Sequence, residues 1–379
     1  MRIVVPRETA PGEQRVALVP ESCKKLIQAG YSLVVEAGAG AAAGYADAAY
    51  RDVGAVIESD IASALESADL LLKVGPPSVA EAARLRPGTI YLGSLMPLRH
   101  LDAVRALAER RITSFATDAI PRTTRAQAMD TLSSMANISG YKGVLLAAAE
   151  LNKYFPMLMT AAGMVPPAKV FVIGAGVAGL QAIATAKRLG ANVTATDVRP
   201  EVKEQIESVG GRYVGIELSE SAAAGGGYAK ELSEQDKARQ REILAAQCAQ
   251  SDVVITTALI GGVFAPRLIS AEIVRSMRAG TVVVDLAADG GGNCELSRPG
   301  ETVREQGVTI LAPLNLPGSM PLHASLLFSR NLTAFLLAFT ADKAFKLDLA
   351  DDIQQGALIT HEGEVRQART REALQKGAA

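Results

Sequence analysis

Along the first 120 residues, short, largely apolar β-like runs alternate with stretches of helical character. The runs at 3–6, 32–36, 70–74, 89–92 and 113–116 read as buried strands of a parallel sheet. The segments at 21–29, 78–85 and 101–109 are expected to be the helices between them. Strand–helix alternation of this kind implies a sheet covered on both sides.

A long helical stretch is expected from 124 to 154, broken only at Gly140 and Gly143. Two β-like runs around Ala161-Ala162-Gly163 predict a hairpin within 155–168, and Pro166-Pro167 marks a boundary. A second alternation then places strands at 170–173, 193–197, 253–256, 281–285 and 308–311. Between its second and third strands lies a polar, Gly-rich segment, 215–235, long enough to suggest a functional connection. A helix at 322–340 and a hairpin at 358–365, turning at Glu362-Gly363, complete the chain. No internal repeat is visible. The expected fold is α/β: two doubly wound parallel-sheet, Rossmann-like domains joined by two long helices, with an interdomain cleft. The domains are expected at 1–125 plus 322–379 and at 126–321.

Composition narrows the function. With 379 residues, half of them apolar, the chain can fill two cores. A net charge of −1 gives no reason to expect nucleic acid or an anionic membrane as partner. Trp is absent and aromatics are few, which disfavours a base-stacking platform. Cys23, Cys248 and Cys294 stand far apart and make neither a metal spacing nor a disulfide framework. No apolar run reaches the roughly 18 residues of a membrane span, and the N-terminus has no signal-peptide pattern. The expectation is a chain that is soluble by itself, in a reducing cytosol.

The chemistry begins at Gly174-Ala175-Gly176-Val177-Ala178-Gly179, which follows an apolar strand and opens a helix. Gly174 suits the tight turn, Gly176 lets a pyrophosphate approach the backbone, and Gly179 lets helix pack on strand. The helix N-terminus offers free N–H groups to phosphates. The next strand ends in Asp197, placed to bind the two hydroxyls of an adenosine ribose and to repel a 2′-phosphate. The pattern predicts NAD(H). Arg199 has two readings: it pairs with a 2′-phosphate, or it neutralises Asp197 or starts the following helix.

Arg122, Gln127, Asp130, Ser133, Ser134, Asn137 and Tyr141 lie on or just before the long helix, and from Gln127 on their spacing predicts a single face. A polar stripe is commonly a solvated face. This one is nearly uncharged, and its amides and hydroxyls suit a carboxamide and ribose hydroxyls.

These motifs, with Thr160-Ala-Ala-Gly163, Gly226-Gly-Tyr228-Ala-Lys230, Thr256-Thr-Ala-Leu-Ile260 and Gly291-Gly-Asn293-Cys294, resemble the proton-translocating NAD(P) transhydrogenases over nearly the whole chain. The match is to their NAD(H)-binding α component, and a chain ending without a membrane segment resembles its split form. The resemblance implies a Re/Si-specific transhydrogenase with Arg122, Gln127, Asp130 and Ser133 at the nicotinamide. It implies nucleotide contacts at Gly174, Ala175, Gly176, Val177, Gly179, Asp197, Val198, Arg199, Tyr228, Ala258, Leu259 and Asn293. Tyr228 is expected on a mobile loop. The implied assembly is a homodimer, the 155–168 hairpin reaching into the partner, docked on membrane-embedded subunits. One of those subunits binds NADP(H), the co-substrate. The implied location is cytoplasmic, peripheral on the inner membrane, and no metal is implied. Hydride passage between two nicotinamide C4 atoms needs no acid or base, only alignment and exclusion of water. Gln127 and Arg122 are therefore expected to position, not to carry protons.

Alanine dehydrogenases share the architecture. Arg15 and Lys73 match their substrate-carboxylate and catalytic positions, and Asp289 matches an acid of that family. Pyruvate chemistry needs a proton donor or acceptor, yet Met96 stands where their His falls. His100, His323 and His361 lie outside that motif and are expected on the surface or at caps. Lys73 and Arg15 either hold the first domain together through buried ion pairs or bind a small carboxylate. The turn Gly261-Gly-Val-Phe264 departs from the transhydrogenase pattern, as does Asp289. A non-catalytic nucleotide-sensing subunit is the third class; it would have little use for Tyr228 or the amide-rich stripe.

Overall fold

The structure, a computed structural model, describes residues 1–199, 201–215, 233–259 and 265–376. It divides into two units, Met1–Met135 with Pro317–Ala379, and Ala136–Leu316. The chain passes from the first to the second within the helix Thr131–Glu150 and returns just before the helix Pro321–Ala338.

The first unit holds an eight-stranded sheet. Its parallel part runs, edge to edge, Thr113–Ala116, Ile90–Gly93, Leu70–Leu72, Arg2–Val5, Ser32–Glu36, Val56–Glu58. The tail hairpin Leu358–His361 and Glu364–Val365 adds antiparallel to Thr113–Ala116. Glu362 and Gly363 both take positive φ (52° and 91°), the conformation a two-residue hairpin needs. Successive residues of each strand face opposite ways. Ile3, Val5, Leu33, Val35, Leu70 and Leu72 fill one core, while Val4, Val34, Leu71 and Tyr91 fill the other. That is why these strands read as largely apolar runs. The strand Val56–Glu58 and the helices Asp47–Asp52 and Ile61–Glu66, three and six residues long, are too short to show a period in the sequence.

The second unit holds a seven-stranded sheet in the order Arg212–Tyr213, Asn192–Thr196, Lys169–Ile173, Val253–Thr256, Val282–Asp285, Val308–Leu311, Thr302–Glu305. Only the last pairing is antiparallel. From Lys169–Ile173 the chain first builds outward on one side and then crosses to Val253–Thr256 on the other. The crevice beyond the carboxyl ends of those two strands is the switch point at which open α/β sheets bind ligands.

Three expectations are corrected. The long helix is not broken at Gly140 or Gly143; Thr131–Glu150 runs through both without interruption. The glycines are there for clearance, since a Cβ at Gly140 would lie 2.1 Å from the Ala178 carbonyl oxygen and one at Gly143 would lie 2.8 Å from Leu286. The break comes earlier. Residues Thr124–Met129 form a 3₁₀ turn, and Asp130, with ψ 90°, separates it from the helix. The predicted stripe is therefore not one continuous face, because Gln127 belongs to that turn. Finally, His361 is neither surface nor cap. It is 9% exposed in its strand, with Nδ1 3.0 Å from the Thr113 hydroxyl. His323 and His100 are exposed, and His100 precedes the helix Leu101–Glu109 without a side-chain cap bond.

Candidate functional site

At the switch point of the second unit, the three glycines of the phosphate loop have three different reasons to be glycine. Gly174 takes φ 91°, a left-handed turn, and its N–H donates to the Thr196 carbonyl. Gly179 sits under the loop, where a Cβ would fall 1.9 Å from the Gly174 carbonyl oxygen. Gly176 has an ordinary φ of −72°, and among the described residues, its own chain neighbours aside, no atom lies within 4 Å of where its Cβ would be. Neither backbone nor neighbours demand glycine there, so the open space is the kind a ligand fills. Gly176 precedes the helix Val177–Arg188, whose first-turn N–H groups face the same space, and Val177 is 40% exposed.

Asp197 stands directly beyond the strand Asn192–Thr196. Its Oδ2 accepts from the Ala175 N–H at 2.8 Å, tying the glycine-rich loop to the acid that follows the second strand. The Arg199 guanidinium grips both oxygens, with Nε 2.9 Å from Oδ1 and Nη2 2.9 Å from Oδ2. The hydrogen bond to Asp197 holds Arg199 above the ordinary arginine value, against the opposing effect of burial. This is the pairing of Arg199 with Asp197 that one of its two readings expects. Val198, between them, is half-buried.

The far wall follows the strand Val253–Thr256. The Thr257 hydroxyl donates to the Gly174 carbonyl at 2.9 Å, bracing one side of the crevice on the other. Asn293 is fully buried, and its amide is consumed by the backbone: Oδ1 accepts from the Ala258 N–H, and Nδ2 donates to the carbonyls of Ala258 and Pro266. It shapes the turn carrying Ala258 and the 37% exposed Leu259. Below it, the buried carboxylate of Asp285 accepts from the hydroxyls of Thr256 and Ser297 and from the N–H groups of Ala287 and Cys294. Thr257 falls within a motif recognised in the sequence and Asp285 ends an expected strand, but the sequence reading assigned neither a role. An acid or hydroxyl after an apolar strand is a weak signal until its partners are known. Tyr228 and the turn 261–264 lie outside the described residues.

The other group belongs to the first unit. Asp130 receives the Ser133 N–H on Oδ1 at 2.8 Å and the Ser133 hydroxyl on Oδ2 at 2.6 Å, capping the helix Thr131–Glu150. Gln127 and Arg122 are exposed. Asn331 donates to the Ala128 carbonyl at 2.8 Å, fixing the turn on which Gln127 sits.

Also in the first unit, Lys73 is 1% exposed and held between Glu81 at 2.9 Å and Glu8 at 3.4 Å. Glu8 accepts the Val74 N–H at 2.6 Å. Burial pushes the Glu8 carboxyl above its ordinary value, and Lys73 only partly offsets this. Burial works the other way on Lys73, but Glu8 and Glu81 outweigh it and raise the ammonium. The Arg15 guanidinium is paired with Glu13 and lies 6.0 Å from the Phe328 ring centre. Met96 takes φ 43°, with its N–H on Asp118. Asp289 is exposed. The three cysteines are buried and free, and burial pushes the Cys23 and Cys248 thiols up to about 12, so neither is a thiolate nucleophile at neutral pH. No cluster able to hold a metal occurs among the described residues.

Comparison with known proteins adds a second line of observation. The profile of the alanine dehydrogenase/PNT N-terminal domain matches residues 4–139, and that of the C-terminal domain matches 143–368. The NAD(P) transhydrogenase subunit alpha, first part, of Rhodospirillum rubrum is 45% identical over 374 residues, covering 96% of this chain and 97% of that protein. An alanine dehydrogenase of Halomonas elongata is 32% identical over 384 residues, covering 99% and 97%. The solved transhydrogenase structure from Sinorhizobium meliloti superimposes with a TM-score of 0.88 at 42% identity, covering 96% of this chain and all of that one.

Proposed function

The chain belongs to the alanine dehydrogenase/transhydrogenase family, and from that premise we propose that it is the NAD(H)-binding α component of a proton-translocating NAD(P) transhydrogenase. The observation that carries the reading is the contrast within the phosphate loop. Gly179 is demanded by the protein itself, whereas Gly176 is left open for something else. The residues fit a dinucleotide: N–H groups for the pyrophosphate, Asp197 for the adenosine ribose, Ala258 and Leu259 on the opposite wall.

When bound, NADH supplies a hydride, which passes to NADP⁺ held by a partner subunit. The chain's own residues bind and orient. Gln127 and Arg122 offer amide and guanidinium donors to a carboxamide, and Asp130 and Ser133 hold the helix end beside them. None of them needs to gain or lose a proton. On the family reading, proton movement belongs to membrane-embedded partner subunits. On this reading the chain works at the cytoplasmic face of the inner membrane.

Alanine dehydrogenase chemistry is the second reading, and the first unit argues against it. Lys73 is already sandwiched by two carboxylates of the chain, Arg15 by a third, and Met96 fills the proton-donor position. The test is to mix the purified chain with an NADP(H)-binding partner subunit and follow hydride exchange between nucleotides. Exchange is expected, and oxidation of L-alanine with NAD⁺ is not; measurable alanine turnover would reverse the ranking. Gln127→Ala is expected to slow exchange roughly a hundredfold while leaving NADH affinity nearly unchanged, because misalignment affects the transfer step and the ADP half dominates binding. A comparable loss of NADH affinity would assign Gln127 to binding instead.

We also propose a homodimer built on the hairpin Leu158–Thr160 and Gly163–Val165. An isolated two-stranded hairpin is marginal in water, and this one carries Met157, Met159 and Met164 at 55%, 73% and 61% exposure. A second copy of the chain is the occupant proposed for this surface. Met159→Asp is expected to raise the dimer dissociation constant at least about tenfold, read by sedimentation velocity. An unchanged dimer would place the interface elsewhere.

A further inference from the structure

Asp197 in this structure is a filled acceptor. Oδ1 takes the Arg199 backbone N–H at 3.0 Å and Arg199 Nε at 2.9 Å. Oδ2 takes the Ala175 N–H at 2.8 Å and Arg199 Nη2 at 2.9 Å. A carboxylate has about four acceptor sites, so no further donor can be added without one leaving. Two of the four donors are backbone groups, fixed by the phosphate loop and by the turn after the strand. The other two belong to one movable side chain, and they occupy one site on each oxygen. A ribose diol lying along the carboxylate edge needs that same pair of sites, one hydroxyl to each oxygen.

We infer that the Arg199 guanidinium stands in for the adenosine ribose diol on Asp197, so that NAD(H) binds by displacing it, and that Arg199 thereby sets the nucleotide preference of the site. The inference rests on the reading of this crevice as an NAD(H) site. Two consequences follow, with opposite signs for the two nucleotides. Breaking the Arg199–Asp197 pair opposes NADH binding. These side chains are 15% and 6% exposed, so the pair is poorly screened and its loss is felt. For a nucleotide bearing a 2′-phosphate the balance differs. Asp197 repels the phosphate, while the guanidinium beside it neutralises that charge and can pair with the phosphate. Arg199 thus weakens NADH binding and softens the rejection of NADPH.

The experiment is a set of NADH and NADPH titrations, by nucleotide fluorescence or calorimetry, on the full chain and on Arg199→Ala and Arg199→Lys. Arg199→Ala is expected to tighten NADH roughly three- to tenfold and to weaken NADPH, so that the preference for NADH grows about tenfold or more. Arg199→Lys keeps the charge but loses the fork that spans both oxygens. It is expected to fall between wild type and Arg199→Ala for NADH while holding NADPH near the wild-type value. A merely structural role would change both affinities in the same direction and leave their ratio alone. Equal or weaker NADH binding by Arg199→Ala, with wild type binding normally, overturns the displacement and leaves the nucleotide site standing. A wild-type chain that binds no NADH at all overturns the nucleotide reading and the displacement with it.

Discussion

Gly179→Ala is expected to destabilise the second unit by about 3 kcal/mol and to abolish measurable NADH binding, whereas Gly176→Ala, three residues earlier, is expected to leave stability unchanged. The physical difference lies in what each Cβ meets. At Gly179 it would fall 1.9 Å from the Gly174 carbonyl oxygen and 3.3 Å from the Thr257 hydroxyl. Backbone stands on one side and the packed helix Val177–Arg188 on the other, so the helix must lift from the sheet and the loop must move with it. At Gly176 the methyl meets no atom of the other described residues within 4 Å, with a φ that alanine adopts readily, and stability should stay within about 0.5 kcal/mol. The same methyl is expected to weaken NADH binding roughly ten- to hundredfold, because it stands where a pyrophosphate must approach. Thermal unfolding and NADH titration on both variants separate the two effects. Full NADH affinity in Gly176→Ala would show that no phosphate approaches that backbone. Wild-type stability in Gly179→Ala would show that helix and loop yield more easily than their packing implies.

Lys73→Met is expected to cost about 3–5 kcal/mol near pH 8, because removing one member of a buried ion cluster leaves uncompensated carboxylates. Glu8 and Lys73 are 4% and 1% exposed at their side chains, so water cannot take over the lost partner. The deficit should shrink on acidification. Glu8 is an acid whose folded value lies above its ordinary 4.5. Between those two values the folded state holds a proton that the unfolded chain has released, so this group favours folding at low pH and loses that contribution as pH rises through its folded value. Lys73, raised above 10.5, has its contribution in full across neutral pH and loses it only as pH climbs past 10.5 through its folded value. In Lys73→Met the attraction that partly restrains Glu8 is gone. Its carboxyl then climbs further and neutralises earlier as the pH falls. Denaturant unfolding at about pH 8 and about pH 5 should therefore show a smaller gap between wild type and variant at the lower pH. Equal gaps would mean that Lys73 does not balance a buried carboxylate.

The same cluster marks a limit of sequence reading. Lys73 can be recognised as a chemically expensive residue, but its partner Glu8 cannot. Glu8 is 65 positions from Lys73, and nothing local pairs them. The glycines of the long helix illustrate another limit. In isolation Gly140 and Gly143 read as helix breakers, because glycine weakens a helix by about 1 kcal/mol. Contact with Ala178 and Leu286 makes them the residues that permit close packing. Asn293 belongs with them: its motif was recognised as part of the site, yet its amide is spent on Ala258 and Pro266.

What the sequence determined by itself was whatever short-range patterning encodes. Buried parallel strands announce themselves as apolar runs because both faces are covered, and the strands Ser32–Glu36, Thr113–Ala116, Val253–Thr256 and Val308–Leu311 coincide with their expected bounds. The phosphate loop announces itself because turn, close approach and helix start impose three glycines at fixed spacing. Tertiary structure alone decided the order of strands within each sheet and, with it, which loops meet at the switch point. It also decided that Thr257 braces Gly174 and that Lys73 meets Glu8. Patterning reports how far each residue is buried, but a hydrogen bond or ion pair depends on a partner tens of residues away, and only the folded chain brings that partner within reach.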